Sequence, residues 1–64
     1  MPTFTYEITG DLLKGIYTNE YGLPFQSQVK PSDYDSELMA AAAAQALGEQ
    51  YSEQYEDTMN DKQD

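Results

Sequence analysis

Residues 3–9 read Thr3-Phe4-Thr5-Tyr6-Glu7-Ile8-Thr9. Phe4, Tyr6 and Ile8 alternate with threonine and glutamate. Side chains of an extended chain point alternately to opposite faces, so this period of two places three apolar groups on one face. Threonine, tyrosine, phenylalanine and isoleucine also favour strands. A half-buried strand therefore opens the chain, and Gly10-Asp11 reads as a turn that sends it back.

The next segments are read outward from that strand. Leu12–Thr18 admits two readings. It pairs back as a second strand with Gly15 as a weak point, or Asp11 caps a short helical turn through Leu12, Leu13 and Ile16. The strand is preferred, because Ile16-Tyr17-Thr18 is β-prone and Gly15 weakens a helix. Asn19-Glu20-Tyr21-Gly22 reads as a tight connection. Leu23–Lys30 carries Leu23, Phe25 and Val29 on one face, with Ser27 as a gap. Pro24 lacks a backbone donor, so this third strand starts there or lies at an edge.

After Lys30-Pro31 the pattern changes. Ser32 is a helix cap with Asp33 in the first turn and Asp35 three residues on; Ser36 is an alternative cap one turn later. The run Ala40–Ala44 is a strong helix former. Leu38, Met39, Ala42, Ala43 and Ala46 then form the expected buried face, while Leu47, Tyr51 and Tyr55 lie on a face rotated from it. Gly48 stands between, so a bend or a break near Gly48 is expected. The fold class is α+β: a three-stranded antiparallel meander over residues 3–30, followed by a C-terminal helical region over 32–57 and a frayed acidic tail over 58–64, all in one domain spanning 1–64.

Composition narrows function. The 64 residues include 12 acids, three lysines, no arginine, no histidine and no cysteine, for a net charge of −9. Without cysteine there is no disulfide, thiolate metal site or thiol nucleophile. Without histidine the usual base near neutral pH is missing. Only ten residues are Leu, Ile, Val or Phe, too few to build a cleft that separates the pKa values of two carboxylates. No enzyme activity and no cofactor are expected. The longest apolar run, Leu38–Ala44, is far short of the roughly 20 residues that span a membrane. No secretory signal is read at Met1-Pro2-Thr3. A cytoplasmic protein without membrane association is expected.

Two motif-like patterns fail on inspection. Asp33, Asp35 and Glu37 alternate like the start of a calcium loop, but Leu38 stands where its glycine belongs and Ala44 where its glutamate belongs. Gly10 and Gly15 have phosphate-loop spacing, but Ile16-Tyr17 follows in place of Lys-Ser or Lys-Thr. No metal site is expected from either.

The sharpest signal lies beyond Gly48. Glu49, Glu53, Glu56 and Asp57 recur at i, i+4, i+7 and i+8, one helical face, and Asp61 extends the run. From 49 to 64, one acid falls every ~4 Å of helix, close to the 3.4 Å rise per phosphate in a DNA strand. Tyr51 and Tyr55 are read as amphipathic anchors beside this ridge. Nucleic-acid binders neutralise phosphates with lysine and arginine, so direct nucleic-acid binding is excluded. The expected partner is a basic nucleic-acid-binding protein or complex, contacted by Glu49, Tyr51, Glu53, Tyr55, Glu56, Asp57 and Asp61.

In size, acidity and lack of catalytic residues, the chain resembles the small phage-encoded anti-CRISPR and anti-restriction inhibitors that mimic DNA. That resemblance implies a non-catalytic inhibitor that occupies a phosphate-binding surface, acting in the host cytoplasm. The alternative is a small structural or assembly accessory protein, docking through its alanine-rich helix or the sheet edge near Leu23–Val29. A homodimer seam along the alanines belongs to the same alternative.

Overall fold

The computed structural model describes residues 1–63, with side chains described for 1–56. The protein is α+β, with three antiparallel strands in sequence order followed by one helix. Strand β1 spans Thr3–Thr9, β2 Leu12–Thr18 and β3 Pro24–Val29. Leu12–Thr18 is thus a strand, as its β-prone second half implies. Helix α1 spans Glu37–Gln63.

The β1–β2 hairpin closes through Gly10-Asp11. Gly10 has φ +61° while Asp11 does not have positive φ, the type II′ pattern that matches the twist of the strands. Register then follows without a bulge: Phe4 opposes Tyr17, Tyr6 opposes Gly15, and Ile8 opposes Leu13. On the other side Leu13 opposes Val29, Gly15 opposes Ser27, and Tyr17 opposes Phe25. One sheet face therefore presents Phe4, Tyr6, Ile8, Leu13, Gly15, Tyr17, Phe25, Ser27 and Val29. Helix α1 lies on that face, over β2 and β3.

The approach to the helix departs from the preferred expectation. Pro31–Asp33 makes a separate 3-10 turn, and Tyr34 is extended at φ −124°, ψ 156°. Ser36, not Ser32, caps α1: its Oγ accepts the Met39 N–H at 3.2 Å, and its carbonyl accepts the Ala40 N–H. The reason is Tyr34, which packs against the core. A helix begun at Ser32 would carry Tyr34 around its axis and away from that contact.

The buried face of α1 also differs. Leu38 is 76% exposed and Met39 51%, and Ala42 and Ala46 are exposed. Ala40, Ala41, Ala44, Gly48 and Ser52 face the sheet instead. Beneath Ala44 lie Gly15 and Ser27, directly opposite each other in register, and Gly48 rests over Tyr17. Small residues on both surfaces let helix and sheet approach closely. Ser27 fills the supposed gap, donating from Oγ to the Ala44 carbonyl at 2.7 Å. Among the described residues, Leu13 is the one large side chain that is fully buried.

Gly48 does not break the helix, which is continuous through it. A Cβ at Gly48 would lie 2.5 Å from Tyr17 Cβ. The glycine is a point of close approach to β2. Ala40, Ala44, Gly48 and Ser52 recur every four residues, so the buried stripe drifts about 40° per step around the helix, about 120° in all, and the face turned to the sheet shifts gradually without a break in the helix.

Candidate functional site

The loop after β2 is held by one side chain. Asn19 is buried, and its Oδ1 accepts the N–H groups of Tyr21 at 2.9 Å and Leu23 at 3.0 Å. Asparagine suits this role because its short amide substitutes for a backbone acceptor in a turn. Gly22, at φ +81°, completes the turn and donates to the Asn19 carbonyl. The remaining group, Nδ2, donates to Ser52 Oγ at 3.1 Å. Loop and helix are thereby locked 33 residues apart in sequence.

That lock places Glu20 beside the helix. Glu20 lines a groove of about 380 Å³ with Glu49, Glu53 and Glu56, over a base of Pro2, Tyr17, Asn19 and Ser52. At 100° per residue the three helical glutamates fall within an arc of about 60° on the β1-facing flank of α1. Glu49 to Glu56 covers about 10 Å of helix axis. The groove therefore holds four carboxylates over roughly three phosphate steps of a nucleic-acid strand.

Tyr17 reports this crowding. Burial raises its hydroxyl pKa above the ordinary tyrosine value, and the carboxylates of Glu49, Glu20, Glu56 and Glu53 raise it further. Negative charge disfavours formation of another negative charge nearby. Tyr6 is raised by a separate contact: its hydroxyl donates to Glu37 Oε2 at 3.2 Å, and the Glu37 charge adds to the effect, as does burial.

Of the residues expected to act together, Glu49, Glu53 and Glu56 do share one flank. Tyr51 and Tyr55 do not stand beside them. They lie roughly 100–140° around the helix from the nearest glutamate, and the Tyr55 ring meets Phe25 edge-on at 5.8 Å. Tyr55 is drawn to the β3 side because Phe25 offers apolar surface there. Asp57 and Asp61 lie outside the residues with described side chains. Glu20 was missed by the sequence reading. Its signal is the polar pair Asn19 and Ser52, which joins its loop to the glutamate-bearing turn of α1.

Among the described residues, no group of histidine, cysteine, aspartate or glutamate side chains could hold a metal ion. No helix among them is long and apolar enough to cross a membrane. Comparison with protein-family models, with curated proteins and with solved structures finds no match for the chain.

Proposed function

We propose that the protein is a non-catalytic inhibitor whose acidic groove occupies the phosphate-binding surface of a basic, nucleic-acid-binding protein or complex, as DNA-mimicking anti-CRISPR and anti-restriction proteins do. The observation that carries this reading is the convergence of Glu20, Glu49, Glu53 and Glu56 around Tyr17. A cluster of like charge is unfavourable for a small domain to hold together. It becomes favourable when lysines and arginines arrive from a partner. Such charges would steer encounter at low salt and lose strength as salt rises.

Glu20, Glu49, Glu53 and Glu56 carry the binding in this reading. Tyr51 and Tyr55, being on the other flank, serve at most a second contact on the same partner. Cytoplasmic action follows from the class of target.

The test uses the triple variant Glu49→Lys, Glu53→Lys, Glu56→Lys. Partners are captured at low salt by the wild-type protein, then challenged with duplex DNA. Wild-type capture should be displaced by DNA and lost at high salt, and the triple variant, folded by circular dichroism, should capture none of the same partners. Capture that DNA cannot displace, or that the variant retains, refutes the reading and leaves apolar docking by an assembly protein.

A further inference from the structure

Strand β1 is an edge of the sheet, and two of its surfaces are open at once. Its outer side has no neighbour in the order β1-β2-β3. Its inner face is covered by α1 only in part: Phe4 packs against the core and the Tyr6 hydroxyl reaches Glu37 of α1, yet Tyr6 is 39% and Ile8 41% exposed. Their partners across the ladder, Gly15 and Leu13, are buried. Phe4 and Tyr6 stack with ring centroids 6.2 Å apart, giving a continuous apolar row.

Proteins usually blunt such an edge with proline, lysine, a bulge or a short strand. The opposite edge, β3, begins with Pro24 and is shorter. β1 has seven residues, no proline, no lysine, one carboxylate and an unbroken register.

The strand also matches itself when reversed. An antiparallel copy placed about a two-fold axis at Tyr6 sets Phe4 against Ile8 of the second copy and Tyr6 against its own counterpart. On the other face it sets Thr5 against Glu7 and Thr3 against Thr9. Moving the register two residues one way brings Glu7 against Glu7; moving it the other way strips Ile8 of a strand partner. A shift of one residue would put the apolar row on the wrong face.

We propose that β1 is a self-association edge, through which two copies pair antiparallel along Thr3–Thr9 about a two-fold axis at Tyr6 to form one six-stranded sheet. Charge permits the pairing despite the net −9. Glu7 is the one acid in the strand, and its neighbour on β2 is Lys14. The acidic groove sits at the Thr3–Thr18 end of the ladder, so an antiparallel seam carries the two grooves to opposite ends. A seven-residue seam is about 23 Å long, well beyond the screening length of about 8 Å at physiological salt. The seam would bury on the order of 1,000 Å² in total, the lower limit of a specific interface. The dimer is therefore concentration-dependent.

Sedimentation equilibrium of the full chain from about 1 to 100 μM tests this with three variants at exposed positions. Thr5→Lys would face Glu7 of the second copy and should strengthen the dimer several-fold. Thr5→Glu would face the same carboxylate and should weaken it several-fold. Gln28→Glu on β3 makes the same charge change away from the seam and should leave association near wild type. Circular dichroism confirms that each variant is folded. A wild-type chain that stays monomeric throughout the range overturns the proposal. So does a Thr5→Glu variant that associates like Gln28→Glu, or a Thr5→Lys variant no stronger than wild type.

Discussion

Replacing Gly48 with alanine should destabilise the protein, although the same change in most exposed helix interiors stabilises by about 1 kcal/mol. The added Cβ would sit 2.5 Å from Tyr17 Cβ, 3.3 Å from its Cγ and 3.7 Å from the Phe25 carbonyl oxygen. Carbon atoms rest at about 3.5–4.0 Å, so helix and strand must part by about 1 Å. Tyr17 cannot relieve this by a rotamer change, since its Cβ is fixed to the backbone of β2. Overpacking of this kind costs about 1–3 kcal/mol. Parting the layers also stretches the 2.7 Å bond from Ser27 Oγ to the Ala44 carbonyl, worth about 1 kcal/mol. Set against the helical gain, a net loss of about 2 kcal/mol remains. For a domain of this size that lowers Tm by about 10 °C. Thermal melts followed by circular dichroism measure it. A second comparison locates the cause: Tyr17→Ala keeps the offending Cβ and should leave the Gly48→Ala penalty intact, whereas Tyr17→Gly should remove most of it in a double-mutant cycle. A Gly48→Ala protein that melts at or above the wild-type temperature would refute the close-approach account of the core.

Asn19→Ala removes the acceptor of two loop N–H groups and the donor to Ser52; a loss of about 2–3 kcal/mol is expected from denaturant titration, with Glu20 released from the groove. At alkaline pH the two raised tyrosines act in one direction. The folded state holds the Tyr6 and Tyr17 protons more tightly than the unfolded chain, so their contribution is complete below the ordinary tyrosine pKa of about 10 and is lost as pH rises through the folded values. Tyrosinate absorbance should show late titration that Tyr17→Phe and Tyr6→Phe each diminish, and unaltered curves for both variants would contradict it. Salt should stabilise the fold while weakening partner capture, because it screens repulsion among the groove carboxylates and attraction to a basic partner alike. Melting temperatures that fall as sodium chloride is added would show that this crowding is not a significant strain.

The strands were legible because alternation is a direct projection of backbone geometry. Thr3–Thr9 could be read without coordinates, Leu12–Thr18 only as a strand preferred over a short helical turn, and the third strand over Leu23–Lys30 as starting at Pro24 or lying at an edge. The helix surface was not legible in the same way. Leu38 and Met39 drew attention as its largest apolar residues, yet the sheet below is floored by Gly15 and Ser27 and accepts only small side chains close by. Gly15, Ser27 and Gly48 each look like a defect when read alone: a weak strand, a gap, a broken helix. In the fold Gly15 and Ser27 lie opposite each other against Ala44, and Gly48 lets the next turn of α1 rest on Tyr17, a relation visible only once the register and the helix position are known. The start of α1 was misplaced for a related reason. Ser32 and Ser36 are equivalent as local caps, and the choice is made by Tyr34 reaching the core. In the groove, the glutamate spacing at 49, 53 and 56 was readable from helical periodicity. Glu20 was not, because its position depends on the long-range bond between Asn19 and Ser52.

Packing and charge in this molecule have one geometric origin. A core with, among the described residues, a single fully buried large side chain gains its contact from closeness rather than volume, and small residues supply that closeness at Ala40, Ala41, Ala44, Gly48 and Ser52. That stripe fixes the rotation of α1 about its axis, and with it the flank turned toward β1 and the Asn19 loop. The outward positions after Gly48 are not filled evenly. Glu49, Glu53 and Glu56 occupy the groove flank, while Gln50, about 60° further round the helix from Glu53, is uncharged. Solubility alone would be served equally well by a carboxylate at position 50, and with less repulsion if the charges were spread. Three glutamates on one flank, with Glu20 brought across from the loop, concentrate like charge in one place. A basic partner is what would make that arrangement favourable.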